Sequence, residues 1–180
     1  MKKIFLLTLV IFFSRVGVSC ALIEAGTKEV GGAASLSFTE DYTFYMGMGT
    51  FGYFVSPEIG LNFNLAIMGS PEEDGGKIIT PLGQIRYYFY KKGQTIIPYL
   101  GGQIGFRFYE EKTVTESWEG DGTYEKETEK KTDTKFCSGG MGGIKFFLNE
   151  DVSVNLEANY QTDGTGIFQL LAGISYFFGN

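Results

Sequence analysis

The chain has 180 residues, with 26 glycines, 17 phenylalanines and 11 tyrosines but only 4 prolines and no histidine. That length suits one domain, and glycines and aromatics without long helix-forming runs read as many strands joined by tight turns. A formal net charge of −6 makes nucleic acid a poor partner, and a chain without histidine lacks the usual general base of acyl-transfer chemistry.

Residues 1–21 have the layout of a secretory signal peptide. Lys2 and Lys3 precede the apolar run Ile4 to Phe13, broken only by Thr8, and the small residues Ser19, Cys20 and Ala21 mark a cleavage site near Cys20 or Ala21. The run is too short for a spanning helix, which needs about 20 apolar residues, and Arg15 interrupts it. Lipidation at Cys20 is a second reading. However, Gly17-Val18-Ser19 lacks the leucine that a lipoprotein box carries at its first position. Loss of Lys2, Lys3 and Arg15 leaves 12 basic side chains against 21 acidic ones, a net charge of −9. If Cys20 is also removed, Cys137 remains alone and no internal disulfide forms.

The rest of the chain, 22–180, reads as a single domain of eight alternating segments, at 27–39, 43–55, 59–69, 77–90, 95–109, 135–148, 152–161 and 167–178. Several are about ten residues long, the length a tilted strand needs to cross a bilayer. Short turns (Ser56-Pro57-Glu58, Lys91 to Gln94, Asn149-Glu150-Asp151) alternate with connections that are mostly longer, above all 110–134. Such asymmetry is typical of bacterial outer-membrane barrels.

The two faces of each segment separate a membrane barrel from a soluble one. In the seventh, Val152, Val154, Leu156, Ala158 and Tyr160 oppose Ser153, Asn155, Glu157 and Asn159. In the third, Ile59, Leu61, Phe63, Leu65 and Ile67 oppose Gly60, Asn62 and Asn64. The polar face is the one with small residues, so it belongs inside, whereas a soluble ligand carrier needs a roomy apolar interior. Unpaired backbone groups in hydrocarbon cost several kcal/mol each, so such a sheet must close. The expected fold is therefore all-β, an eight-stranded antiparallel up-and-down transmembrane β-barrel. Aromatics at Tyr53-Phe54, Tyr87 to Tyr90, Phe146-Phe147 and Tyr176 to Phe178 suggest a girdle at the short-turn end. Phe44, Tyr45, Phe108, Tyr109, Phe136, Tyr160 and Phe168 suggest a second near the long loops.

The stretches Gly52 to Leu61, Pro98 to Gly102, Gly143 to Leu148 and Leu170 to Phe178 resemble the eight-stranded outer-membrane β-barrel domain family, which includes the small OmpA-like and OmpX-like proteins. That resemblance covers nearly all of the chain after the signal. It implies a Gram-negative outer-membrane location and insertion by the outer-membrane assembly machinery, which reads a C-terminal aromatic. Here two residues, Gly179 and Asn180, follow Phe178.

Two groups of residues are candidates for function. Alternation turns Glu29, Arg86, Lys145 and Glu157 inward at similar heights near the short turns, and Arg107 inward closer to the loops. Isolated buried charges are costly, so these should pair as a plug; a gated ion path would require the pairs to exchange partners. The second group lies in 110–134, which carries nine acidic residues and four lysines. There Trp118, Asp121 and Tyr124 frame a hairpin tip with Asp-Gly as the turn, and the flanking strands would continue above the membrane as a ribbon. It is either a solvated loop or an adhesive, edge-pairing surface for a protein partner. Its carboxylates show no metal-ligand spacing. Gly47 to Gly52 matches G-x-G-x-x-G, but continues as Tyr53-Phe54-Val55 with no following helix, so it carries no phosphate site.

The sequence thus reads as a monomeric outer-membrane barrel of structural or surface-interaction type, in contact with outer-membrane lipid, without catalysis or cofactor. A narrow channel for small solutes or ions, or a soluble periplasmic lipid carrier, are the alternatives.

Overall fold

A computed structural model describes residues 21–38, 43–69, 76–118, 124–164 and 166–179, with the backbone alone described over 36–38, 43–44, 111–118 and 124–130. The signal-peptide assignment therefore falls outside the described residues except at Ala21. Eight strands, β1 (Lys28–Phe38), β2 (Thr43–Ser56), β3 (Ile59–Gly69), β4 (Lys77–Tyr88), β5 (Ile96–Trp118), β6 (Tyr124–Phe147), β7 (Val152–Thr162) and β8 (Gly166–Phe178), close in chain order into a barrel. Every neighbouring pair is antiparallel. The closing seam is the shortest, with seven register pairs from Lys28↔Phe178 to Ala34↔Ala172.

Period-two alternation decides the two surfaces. Outside, Phe63, Ile85, Leu100, Ile104, Leu156, Leu170 and Ile174 stand between 52% and 66% exposed, and each is a large apolar side chain on the barrel's outer wall. Inside, Asn62, Asn64, Gln84, Gln103, Asn159, Gln161 and Ser175 are buried. This wall is inverted relative to a soluble protein, in which an exposed apolar patch of this extent marks an interaction site or a membrane.

Adjacent aromatics cannot both join a girdle, because neighbouring strand residues point to opposite faces. Tyr53, Tyr87, Tyr176 and Phe178 lie exposed on the outer wall, as expected. Phe54, Tyr88, Phe147 and Phe177 instead turn inward, and with Ala21, Ile23, Ile97, Tyr99 and Met141 form an apolar floor at the short-turn end. Rings of Phe54 and Tyr88 and of Phe147 and Phe177 sit with centroids 5.0 Å apart. The upper girdle needs one like correction: Tyr45, Phe108, Phe136, Tyr160 and Phe168 face out, but Tyr109 hydrogen-bonds with lumen groups.

Residues 21–26 form a strap across this lower mouth that alternation does not foreshadow. The Ala21 amide donates to the Gln94 carbonyl (3.1 Å) and the Gly26 amide to that of Phe54 (2.8 Å). Tyr90 donates its hydroxyl to the Ala21 carbonyl (3.1 Å), and Ile23 is buried in the floor.

At the other end β5 and β6 outrun the barrel. Their register continues from Ile96↔Phe146 to Trp118↔Tyr124. β4 leaves β5 at Lys77↔Glu110, and β7 leaves β6 at Ser138↔Thr162. The eight residues of β5 beyond Glu110 extend about 26 Å at 3.3 Å per residue.

Candidate functional site

Two regions stand out from the wall, the polar column of the lumen and the β5–β6 ribbon. The column is built in tiers by strands that each contribute inward residues at alternate positions. Lowest is a cluster around Lys145 of β6, whose Nζ donates to Glu29 Oε1 of β1 (2.5 Å), Asn155 Oδ1 (3.3 Å) and Ser175 Oγ (3.3 Å). Ser175 Oγ donates to the same Glu29 oxygen (2.6 Å). Lys145 also sits over the Phe177 ring, 5.3 Å from its centroid. That contact gives the ammonium a further favourable neighbour where water is excluded.

Beside it, Arg86 Nη2 of β4 donates to Glu157 Oε2 of β7 (3.0 Å). Tyr99 donates its hydroxyl to the same oxygen (2.7 Å), and the Arg86 guanidinium lies 5.1 Å from the Tyr99 ring centroid. Arg86 Nε donates to Gln84 Oε1 (3.1 Å), Gln84 Nε2 to Gln103 Oε1 (2.9 Å), and Gln103 Nε2 to Asn159 Oδ1 (2.6 Å). The column thus crosses the lumen from β4 through β5 to β7. A cavity of about 20 Å³, room for one water, lies between the two ion pairs and touches Glu29, Arg86, Tyr99, Asn155, Glu157 and Ser175.

The upper tier is set by Arg107 of β5. Its Nη1 donates to Asp163 Oδ2 (2.9 Å) and its Nη2 to Gln161 Oε1 (2.8 Å), while the Tyr109 hydroxyl donates to the same Asp163 oxygen. Lys135, half-exposed, stands over the Tyr109 ring at 5.1 Å.

Glu29, Arg86, Arg107, Lys145 and Glu157 are thus all buried in the lumen, and four of them form two direct pairs, Lys145 with Glu29 and Arg86 with Glu157. The partner of Arg107, Asp163, lies in the β7–β8 connection, where strand alternation assigns no direction. Tyr99 was missed for a different reason: its position faces the lumen by parity, but an aromatic ring gives no sign of carrying a hydrogen bond to a carboxylate.

Of the ribbon residues, Trp118 and Tyr124 form the last register pair of β5 and β6, which places them at the far end of the ribbon. Asp121 lies outside the described residues.

No family model matches the chain, and no curated protein sequence does. Solved structures do match. Neisserial surface protein A is similar over 86% of this chain and 98% of its own, with a TM-score of 0.62 and 13% identity. Ail, the attachment invasion locus protein of Yersinia pestis, matches over 87% of this chain and all of its own, at 0.56 and 11% identity. The N-terminal β-barrel domain of Pseudomonas aeruginosa OprF matches over 86% and 98%, at 0.54 and 15% identity. The fold is that of the small eight-stranded outer-membrane barrels. In this chain that fold carries a packed lower lumen and a two-stranded ribbon of β5 and β6 that extends beyond their pairing with β4 and β7.

Proposed function

We propose that this barrel resides in the outer membrane of a Gram-negative cell and acts through its β5–β6 ribbon as a surface-interaction protein, the barrel being a closed anchor. The observation that carries this reading is the open edge of β6. From Tyr124 to Cys137 the strand pairs with β5 but has no β7 partner, so one row of its backbone N–H and C=O groups faces water. Such an edge is a template for an added strand from a protein partner.

The lumen supports the anchor role. Charges are consumed in pairs, glutamines and asparagines bridge them, and the aromatic floor with its strap fills the lower mouth. Eight strands leave an interior that side chains just fill. This packing supports neither steady conduction of solutes nor carriage of a lipid inside the barrel, and the apolar outer wall belongs in a bilayer. The column, in this reading, holds the wall closed and carries no catalytic role.

Trypsin treatment of intact cells tests orientation. Cleavage confined to Lys112, Lys126, Lys130 or Lys131 is expected, with Lys28, Lys91 and Lys92 cut only after lysis; the reverse pattern would place the ribbon in the periplasm. The role of the ribbon is tested by replacing residues 112–131 with an Asn-Gly turn. Cells carrying the shortened chain should lose the adhesion to protein-coated surfaces that the full chain confers, and equal adhesion by both would overturn the reading. Planar-bilayer recordings should be silent, and sustained conductance would favour the narrow channel instead.

A further inference from the structure

At the loop end of the barrel, every seam but one stays paired up to the final residue of one of its strands. β1 and β8 part earlier. Their last pair is Ala34↔Ala172, yet β1 continues to Phe38 and β8 begins at Gly166. Continued register would set Ser35, Leu36, Ser37 and Phe38 opposite Leu171, Leu170, Gln169 and Phe168, and none of these pairs forms. Over the same span β1 remains paired with β2 up to Phe38↔Thr43, and β8 with β7 up to Thr162↔Gly166. The wall therefore carries a notch that is bounded by two strand edges and closes at Ala34 and Ala172.

The notch opens through the apolar wall. Phe168 and Leu170 on its β8 side are each 66% exposed, and the register neighbours of Phe168 and Leu36 are Tyr160 and Tyr45 of the upper girdle. Behind it the lumen is apolar as well. Ala33 of β1, Met46 and Met48 of β2, Ala66 and Met68 of β3 and Leu171 of β8 form one cluster. All come from the strands beside the notch, whereas Gln84, Gln103, Asn159, Gln161 and Arg107 of the polar column belong to β4, β5 and β7. Asn64 Nδ2 donates to Met48 Sδ (3.2 Å) where the two sides meet. Methionine, unbranched and polarizable, adapts its shape to an irregular apolar partner. Gln169, two positions from Leu171 towards the loops, buries its Oε1 without a hydrogen-bond partner.

We propose that the notch is a lateral binding site for a lipid of the surrounding leaflet. The end of one hydrocarbon chain enters between β1 and β8 and packs on Leu171, Met46 and Met48, and a hydrogen-bond donor nearer the head of the same lipid meets Gln169 Oε1. Hydrocarbon is the medium that the wall presents to this opening, and bare strand edges are costly there, so the polar groups of the lipid also serve the unpaired backbone beside the notch. Depth is limited. The cavity of about 20 Å³ beneath Met48 and Leu171 is lined directly by Glu29 and Arg86, so one chain end is accommodated and the rest of the lipid stays in the bilayer. This inference rests on the membrane location proposed above.

Photolabelling tests both the site and its route. The barrel is refolded into phosphatidylcholine vesicles that contain some phosphatidylcholine with a diazirine near the end of one chain, irradiated, and its labelled residues are located by mass. Phe63 and Leu100 on the outer wall should be labelled, and so should Met46, Met48 or Leu171 inside. Leu36→Cys/Leu170→Cys, in a Cys137→Ser background that removes the buried free thiol, sets a disulfide across the notch. Oxidised, this variant should lose the inner label and keep the outer one, and dithiothreitol should restore the loss. Ala33→Leu fills the pocket from its β1 side and should lower the inner label without any bridge, so the test does not depend on the disulfide closing. Label on the outer wall alone in the unaltered chain would overturn the notch and leave the membrane location standing; label on neither surface would overturn both. Inner label that persists through the closed bridge and through Ala33→Leu would mean that chains arrive by the open mouth, and would overturn the lateral site.

Discussion

Lys145 on β6 and Glu29 on β1 meet across the lumen with Nζ and Oε1 2.5 Å apart, although 116 residues separate them in the chain. Neither is accessible to solvent, at 0% and 1% side-chain exposure. Removing one member strands the other as a buried charge, so Lys145→Met or Glu29→Leu alone should cost about 3–5 kcal/mol. The double variant Glu29→Leu/Lys145→Met should recover most of that loss. Urea titration of the refolded barrel, with the four proteins in parallel, measures the coupling; additive losses would show that the pair does not act as a unit.

Close approach of neighbouring strands gives a second expectation. A Cβ on Gly139 would lie 1.9 Å from the Tyr160 carbonyl oxygen of β7, a backbone atom that cannot swing aside, whereas one on Gly49 meets nothing within 4 Å. Gly139→Ala should therefore fold poorly or not at all, and Gly49→Ala should fold like the parent. The shift between folded and unfolded bands on unheated gels reads both.

The outer wall makes a prediction that separates a bilayer from water. Ile104 is 61% exposed, and for a soluble protein an arginine there would be nearly neutral. At the midplane of a bilayer the same change should cost about 2–4 kcal/mol. Unfolding of Ile104→Arg in phospholipid vesicles decides between them, since a loss near zero would remove the wall from the membrane.

The strap should contribute to stability through its single large side chain. Ile23 is 1% exposed within the aromatic floor, so Ile23→Ala should cost about 2–5 kcal/mol, the range for deleting buried aliphatic groups. A loss below 1 kcal/mol would mean that the strap rests on the mouth without bearing on the fold.

Much of this architecture was legible because a strand encodes its two faces at every second residue. Parity alone turned Glu29, Arg86, Arg107, Lys145 and Glu157 inward, and counting from the short turns put four of them near one height. Parity also corrects the girdles: reading Tyr53-Phe54 or Phe146-Phe147 as blocks overlooks that one ring of each must enter the lumen. Partner choice was beyond reach, because pairing Arg86 with Glu157 and Lys145 with Glu29 depends on how the sheet closes. Asp163 and the strap at 21–26 were invisible for a related reason. Both lie outside regular strands, so no period assigns them a direction, and only the packed lumen shows what they fill.

The seven register pairs that join β1 to β8 have a consequence for how the barrel is assembled and how it comes apart. Every other seam runs for at least ten pairs, so the join between the two chain ends is the cheapest place to part the wall. It is also the join that can form only when the whole sheet has been laid down. Closure is then the last event of insertion and parting at this seam the first of unfolding, with backbone amides from Gly31 to Ala34 exchanging with solvent deuterium ahead of those in β3 and β4.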